Sequence, residues 1–250
     1  FNEEDTLPVT LAALPTHIEG IDVIERLVID DGSHDKTSEI AAQHNVEHII
    51  KFSKNRGLAR AFMAGIEGAL EAGADFIVNT DADNQYCADD IKTILIPIIS
   101  GNAEIVVGAR PINNISHFSP IKKYLQRIGS WVVRLVSGTK IDDAPSGFRA
   151  FSAAAAMKIN VFSEYTYTLE TIIAAGQQGI TITSVPIRTN GQLRQSRLIK
   201  SIPSYVWRSI VTIFRIFLYY RPLRSFGILG SIPFALGFLL GMRYLIYWLE

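Results

Sequence analysis

The chain has 250 residues and one cysteine, Cys87, which is long enough for one sizeable α/β domain or two small ones, excludes an internal disulfide and fits a reducing compartment. With 48% apolar residues and a mean hydropathy of +0.20 it carries more apolar surface than a chain meeting only water needs, so a membrane is the expected neighbour. The net charge of +0 hides a split: residues 1–110 carry 8 Lys+Arg against 19 Asp+Glu, and residues 111–250 carry 16 against 5, so the halves are −11 and +11.

An acidic half suits metal chelation and a basic half suits phosphates or anionic lipid heads, although two such surfaces would also simply attract each other. In chain order, "FNEEDTLPVTLAALP" reads as a loop and a helix with no strand before it. Alternating α/β folds begin with a strand, so a first strand is expected to be missing. "RLVIDDGS" (26–33) is a β-branched run stopping at carboxylates and glycine, a buried strand ending in a turn. "DKTSEIAAQH" is helical with Asp35 as its cap, and "VEHIIKF" is a second strand. "NRGLARAFMAGIEGALEAG" is a helix capped by Asn55 and stopped by Gly73. "DFIVNT", "DDIKTILIPIIS" and "AEIVVGAR" follow as strand, helix and strand. This alternation predicts an α/β fold with a mostly parallel, three-layer sheet, in which ligands sit at the carboxyl ends of strands. Asp30–Asp31 and Asp81–Asp83 both fall at such ends.

In "NTDADNQY" the two carboxylates Asp81 and Asp83 are spaced i, i+2, so they point the same way if the strand runs on that far, and Gln85 adds a neutral oxygen on that side. Hard cations such as Mg²⁺ or Mn²⁺ take such ligands and complete their shell with substrate phosphates. The alternative is a pair of solvated turn carboxylates.

Near the other end, "IPSYVWRSIVTIFRIFLYYRP" puts Tyr205, Ile210, Ile213, Phe217 and Tyr220 on one helical face, with Arg208 and Arg215 interrupting the others. Residues 201–222 therefore suit an interfacial helix, or else an ordinary core-facing one. Phe226–Leu249 is long enough to span a bilayer, with Arg243 its one charge and Tyr244, Tyr247 and Trp248 near one end. Arg221 and Arg224 precede it, so the positive-inside rule puts residues 1–200 in the cytoplasm. A second span is expected after Glu250.

The ordered set "FNEE", "VIDDGSHDKT", "NRGLARAFMAGI", "NTDADNQY" and "DDAPSGFRAF" resembles family 2 glycosyltransferases with the GT-A fold, in particular the dolichyl-phosphate mannose synthase and polyprenyl-phosphate glycosyltransferase branch. The resemblance covers residues 1–200. It implies a nucleotide-sugar donor, a divalent metal and an inverting transfer. It also implies that Asp31 contacts the nucleoside with Asp30 beside it, that Asn2 and Glu3 line the same pocket, and that Asp81, Asp83 and Gln85 hold the metal. Ser146, Gly147, Phe148 and Arg149 match the segment near the acceptor phosphate. His34 and Cys87-Ala88 depart from the usual pattern and bear on the choice of donor.

A lipid phosphate is already an anionic nucleophile and needs little help from a base, whereas its charge needs cations. Arg149 suits that task bidentately; Arg110, Arg127 and Arg194 are further candidates, or else surface arginines. Asp142 or Asp143 would orient Arg149, act as a base toward a hydroxyl acceptor, or belong to a turn before Pro145. The expected protein is a membrane-anchored, metal-dependent glycosyltransferase acting on a polyprenyl phosphate. Transfer to a glycan or lipid hydroxyl is the alternative, but "QLRQSR" only loosely echoes the Q-x-x-R-W motif of such enzymes. A catalytically idle scaffold would not need Asp81, Asp83 and Arg149. Nucleic acid is not an expected partner, because the basic residues adjoin an apolar span without interleaved aromatics.

Overall fold

The structure, a computed structural model, describes residues 1–111, 120–162, 166–191 and 222–249, with scattered positions between 206 and 218. Its elements are α1 (Leu7–Ala13), β1 (Leu27–Asp30), α2 (Thr37–Gln43), β2 (His48–Lys51), α3 (Leu58–Glu71) and β3 (Phe76–Asn79). After a 3-10 turn at Ala88–Asp90 come α4 (Ile91–Ile99), β4 (Ile105–Ala109), α5 (Pro120–Ser137), β5 (Arg149–Ser152), α6 (Ala153–Lys158), α7 (Thr168–Gln178), β6 (Ile182–Pro186) and α8 (Pro222–Leu249).

The strands form a β1–β2 pair and a four-stranded sheet ordered β3-β5-β4-β6. β1–β2 and β4–β6 are parallel, whereas β5 runs antiparallel to both β3 and β4, so β3, β4 and β6 share one direction and β5 is the one reversed strand in an otherwise parallel arrangement, a strand the sequence does not announce. The reason is local. β5 has four residues, begins with a charged side chain and follows a long turn after α5, so nothing in its pattern announces a strand. Its register places Arg149 opposite Asn79 of β3 and Val107 of β4. An antiparallel strand starts where its neighbour ends, so "SGFR" is delivered to the mouth of β3.

Helices cover both faces of this sheet. On one side Ile94, Leu95 and Ile98 of α4 pack with Val106, Phe148 and Ala150. On the other, Phe62 and Ile66 of α3 pack with Ile105, Phe151, Ala155 and Ala175, and Val133 of α5 joins Val107, Ile172 and Ile173. Burial of each large aliphatic side chain is worth about 1.5–3 kcal/mol, and β4, covered on both faces, is where that stabilisation concentrates.

Two helix starts differ in detail from expectation. Asp35 does serve α2: its carboxylate accepts the Thr37 N–H at 3.0 Å, from one residue outside the cap position. Asn55 does not cap α3, which starts at Leu58, because the preceding amides of Arg56 and Gly57 are already bonded to Asp31 at 2.6 and 3.0 Å. Gly73, with φ +83°, ends α3 as expected.

The described positions between 206 and 218 are helical, and Trp207, Ile210, Val211 and Phe214 are exposed. Tyr205, Arg208, Ile213, Phe217, Tyr220 and Arg221 lie outside the described residues. α8 contains the expected span: among the described residues it is the one helix long and apolar enough to cross a membrane, over Gly230–Leu249, and none of that stretch is buried in the protein.

Candidate active site

The end of β1 is bound to the chain's first residues. Asp30 is fully buried; its carboxylate accepts the Ser33 N–H at 2.8 Å and the Ser38 hydroxyl, with Lys51 Nζ 4.0 Å away. Burial alone would raise the Asp30 carboxyl, but the hydrogen bonds from Ser33 and Ser38 outweigh it and hold the group below its usual range. Asn2 Oδ1 accepts the His34 N–H at 2.9 Å and the Asn2 N–H donates to Ser33 Oγ at 2.9 Å; Glu3 donates its N–H to Thr37 Oγ1 and accepts the Thr6 hydroxyl. "FNEE" and "SHDKT" are thus one wall. Asp31, also buried, fixes the loop that leads into α3. Gly32 is required between them, since its φ is +71° and a Cβ there would lie 2.5 Å from the Lys54 carbonyl carbon.

β3 ends at Asn79, before either metal candidate, so strand alternation is not what orients Asp81 and Asp83. They stand in a turn instead. The Gln85 N–H donates to Asp83 Oδ1 at 3.2 Å, and Asn84 takes a φ of +54°. Asn190, just after β6, donates to the Asn84 and Tyr86 carbonyls, and its N–H bonds the Gln85 carbonyl at 2.9 Å. The turn is therefore held from outside.

Facing it is Gly147. Its N–H donates to Tyr86 Oη at 3.0 Å, and its carbonyl accepts from Asn79 Nδ2 at 2.8 Å and from the Tyr167 hydroxyl at 3.3 Å. A Cβ at this position would come within 3.1 and 3.2 Å of the Asp81 carboxylate oxygens and 3.0 Å of Tyr167 Oη. The glycine lets the loop lie directly against Asp81. Burial, reinforced by the Asp81 charge, pushes the Tyr86 hydroxyl up to about 12 and Tyr167 well above its ordinary value, so both rings stay neutral donors or acceptors here.

Arg149 and Arg110 are held in different surroundings. Arg149 is fully buried: Nε donates to the Ser146 carbonyl, Nη2 to the carbonyls of Ala144 and Thr168, and Nη1 to the Thr171 hydroxyl, with the guanidinium 5.7 Å from the Tyr167 ring centre. Burial lowers it to about 10, so it remains a cation at neutral pH. It ties the 144–147 loop to the start of α7. Asp143 does not orient it. That carboxylate, itself buried, accepts from Arg110 Nε at 2.7 Å, Arg110 Nη2 at 3.1 Å, the Arg110 N–H at 3.2 Å and Gln126 Nε2 at 2.9 Å. Burial pulls the Arg110 guanidinium down, but Asp143 and the more distant Asp81 outweigh it and raise it, so Arg110 is a permanent cation within the field of the acidic turn.

The remaining candidates are dispersed. Asp142 is exposed, with its N–H on Ser184 Oγ and Arg134 Nη1 3.9 Å from its carboxylate. Arg127 is exposed on α5, and Arg194 lies outside the described residues. Ser146 is buried with its hydroxyl unpartnered among the described residues. Asn79, Tyr86, Tyr167 and Asn190 were not singled out by sequence, although Asn79 and Tyr86 flank the D-x-D inside "NTDADNQY".

Among the described residues no three His, Cys, Asp or Glu side chains form a metal cluster. A divalent cation that borrows ligands from substrate phosphates needs only one or two carboxylates, and two hard oxygen donors beside a glycine that leaves their flank open fit Mg²⁺ or Mn²⁺.

The sequence model of Glycosyl transferase family 2 matches residues 1–160. The UDP-N-acetylglucosamine--dolichyl-phosphate N-acetylglucosaminyltransferase of Methanococcus voltae is 33% identical over 214 residues, which cover 76% of this chain and 82% of that protein. The undecaprenyl-phosphate mannosyltransferase of Micrococcus luteus is 28% identical over 197 residues, covering 75% and 79%. Glucosyl-3-phosphoglycerate synthase from Mycobacterium tuberculosis, solved with Mn²⁺, UDP-glucose and phosphoglyceric acid, matches with a TM-score of 0.69 over 87% of this chain and 76% of that one. At 16% identity that likeness concerns the fold alone.

Proposed function

Because this chain belongs to glycosyl transferase family 2 and has its GT-A fold, we propose that it moves a sugar from a nucleotide-sugar donor to the phosphate of a polyprenyl lipid, inverting the anomeric centre. The observation that carries the reading is the contact between the Asp81 turn and the Gly147 loop, with the Arg110–Asp143 pair beside them. The likeness to the Methanococcus voltae and Micrococcus luteus proteins supports it.

The nucleoside lies along the wall formed by Asn2, Glu3, Asp30 and Asp31, whose carboxylates chiefly hold that wall in shape. Asp81, Asp83 and the side chain of Gln85 would hold Mg²⁺ or Mn²⁺, which when bound would supply charge stabilisation to the departing nucleoside diphosphate. An oxygen of the lipid phosphate forms the new bond to the anomeric carbon as the bond to the diphosphate oxygen breaks. Such a nucleophile arrives deprotonated, so no base is required. Arg110, kept charged and aimed by Asp143, draws the acceptor phosphate in, with the buried Ser146 hydroxyl as a further donor and Arg127 as an outer cation. Arg149 acts as a positioning residue that keeps Gly147 against Asp81.

A hydroxyl acceptor would need a base. Both Asp143 oxygens are already taken by Arg110 and Gln126, which leaves, of the two candidate bases, the exposed Asp142. The phosphate acceptor is therefore the better fit. α8 anchors the enzyme in the membrane with the sugar-transfer domain on the cytoplasmic side. The test is to incubate membranes containing the full chain with UDP- and GDP-sugars and either a polyprenyl phosphate or the corresponding polyprenol. A sugar-phosphoryl lipid formed from the phosphate alone is the expected product; glycosylation of the polyprenol instead would overturn the choice.

A further inference from the structure

Beyond the end of β6 the chain runs on beside the acidic turn. Ile187 is buried, donates its N–H to the Ala109 carbonyl at 3.0 Å and packs on Gly108, where a Cβ would lie 2.9 Å from Ile187 Cδ1. Arg188 then closes on the buried Asp90, just before α4. Its N–H reaches Oδ2 at 2.6 Å, and its Nε and Nη2 reach Oδ1 at 3.0 and 2.8 Å. The Arg188 carbonyl accepts the Cys87 N–H at 3.4 Å, and Thr189 forms an antiparallel bridge with Tyr86. These contacts anchor the lead-in to α4.

Asn190 does something different, because it meets three successive carbonyls of the turn itself. Its N–H donates to the Gln85 carbonyl at 2.9 Å, and its Nδ2 donates to the carbonyls of Asn84 at 3.0 Å and Tyr86 at 3.1 Å. The two Nδ2 hydrogens and the main-chain N–H are the three donors this arrangement needs. Both peptide planes that flank the Gln85 Cα are fixed in this way. One of them also carries the Gln85 N–H, which donates to Asp83 Oδ1 at 3.2 Å. A chain of hydrogen bonds therefore runs from Asn190 Nδ2 through the 84–85 peptide to the Asp83 carboxylate, each bond polarising the next. Asn84, at φ +54°, is in the left-handed region, where a residue other than glycine stays because its surroundings hold it.

We propose that Asn190 is a positioning residue for the divalent cation. By fixing the peptides on either side of Gln85, it sets the directions in which Asp83 and Gln85 offer their oxygens to one ion. This deepens the reading of Asp81, Asp83 and Gln85 given above and rests on it. Asn190 acts through these peptides and not by ligation. Groups that orient a metal's ligands from behind are typically worth ten- to a hundredfold in affinity.

The test measures Mn²⁺ binding to the full chain in detergent by electron paramagnetic resonance, with UDP or GDP present. The broadened signal of protein-bound Mn²⁺ is separated from that of the Mn²⁺–nucleotide complex formed without protein, and thermal unfolding is followed alongside. Asn190→Ala keeps the main-chain bond to Gln85 but loses both Nδ2 bonds, so its dissociation constant for Mn²⁺ should rise ten- to a hundredfold. Asn190→Ser, with one side-chain donor, should lie between, and it carries the test if Asn190→Ala is not folded. Glu104→Ala is the comparison: it removes the bonds from the Thr181 N–H and hydroxyl at the opposite end of the β4–β6 pair. That variant should lower Tm and leave Mn²⁺ affinity unchanged. Mn²⁺ affinity unaltered in both Asn190 variants would overturn the proposal while leaving the metal ligands standing. An equal loss of affinity in Glu104→Ala would overturn it too, since affinity would then follow stability. If the unaltered chain binds no Mn²⁺ with either nucleotide, the metal reading itself fails and the role of Asn190 goes with it.

Discussion

Gly147 is held at its N–H by Tyr86 and at its carbonyl by Asn79 and Tyr167, which leaves no freedom to retreat from Asp81. Gly147→Ala should therefore push the Asp81 carboxylate by a few tenths of an ångström and lower transfer ten- to a hundredfold, about 1.4–2.7 kcal/mol of barrier, with a small change in Tm. Kinetics and thermal unfolding measured side by side check this; a large Tm drop with normal residual rates would contradict it. Arg149→Lys makes the opposite kind of prediction. Lysine cannot bridge the Ser146, Ala144 and Thr168 carbonyls and Thr171 at once, so stability should fall by about 2–4 kcal/mol together with activity. A variant of full stability that had lost only acceptor use would put Arg149 in direct contact with the acceptor. At this scale the D-x-D pair and "SGFR" could be read from sequence because their chemistry is carried by residue type. Asn79, Tyr167 and Asn190 could not, since each acts through hydrogen bonds to residues 68, 20 and 106 positions away that only the fold brings near.

Among elements, the β1 end shows why local pattern succeeds and then stops. The β-branched run before Asp30 announced a strand, and Gly73 announced the end of α3, whereas the start of α3 moved because Asp31, on another element, had claimed its first amides. β5 carries too little periodicity to register, being four residues that begin with arginine, so the one reversed strand of the central sheet is not legible in the sequence. Asp30 and Asp35 both have carboxyls held below their ordinary values, against burial, by hydrogen bonds from Ser33, Ser38, Thr37 and Glu4. Groups with folded pKa values below their unfolded ones contribute stability that is complete above the unfolded value of about 4 and lost as pH falls through the folded values. Resistance to urea unfolding should accordingly fall below about pH 4, and Asp30→Asn should be less stable at neutral pH and show a shallower acid slope. An acid slope unchanged in Asp30→Asn would show that its bonds to Ser33 and Ser38 do not carry the effect.

For the whole molecule, the acidic half supplies the wall at the end of β1 and the Asp81–Asp83 turn, proposed to take donor and metal, and the basic half supplies Arg149, α5 and α8. Ending the chain before residue 221 removes α8 but no residue of the sheet or its helices. The shortened protein should bind donor as before while its transfer to long-chain acceptor in membranes falls at least tenfold, roughly 1.4 kcal/mol of lost proximity. Equal use of long-chain lipid by both forms would make the anchor irrelevant to catalysis. The central claim is that a lipid phosphate oxygen attacks the sugar. The most direct measurement supplies polyprenyl phosphate whose terminal oxygens carry a heavy isotope, together with unlabelled donor, and locates the label in the products. The account predicts heavy oxygen in the bridge between sugar and lipid phosphate and none in the released nucleoside diphosphate. An unlabelled bridge, or a product with the sugar on a hydroxyl, would contradict it.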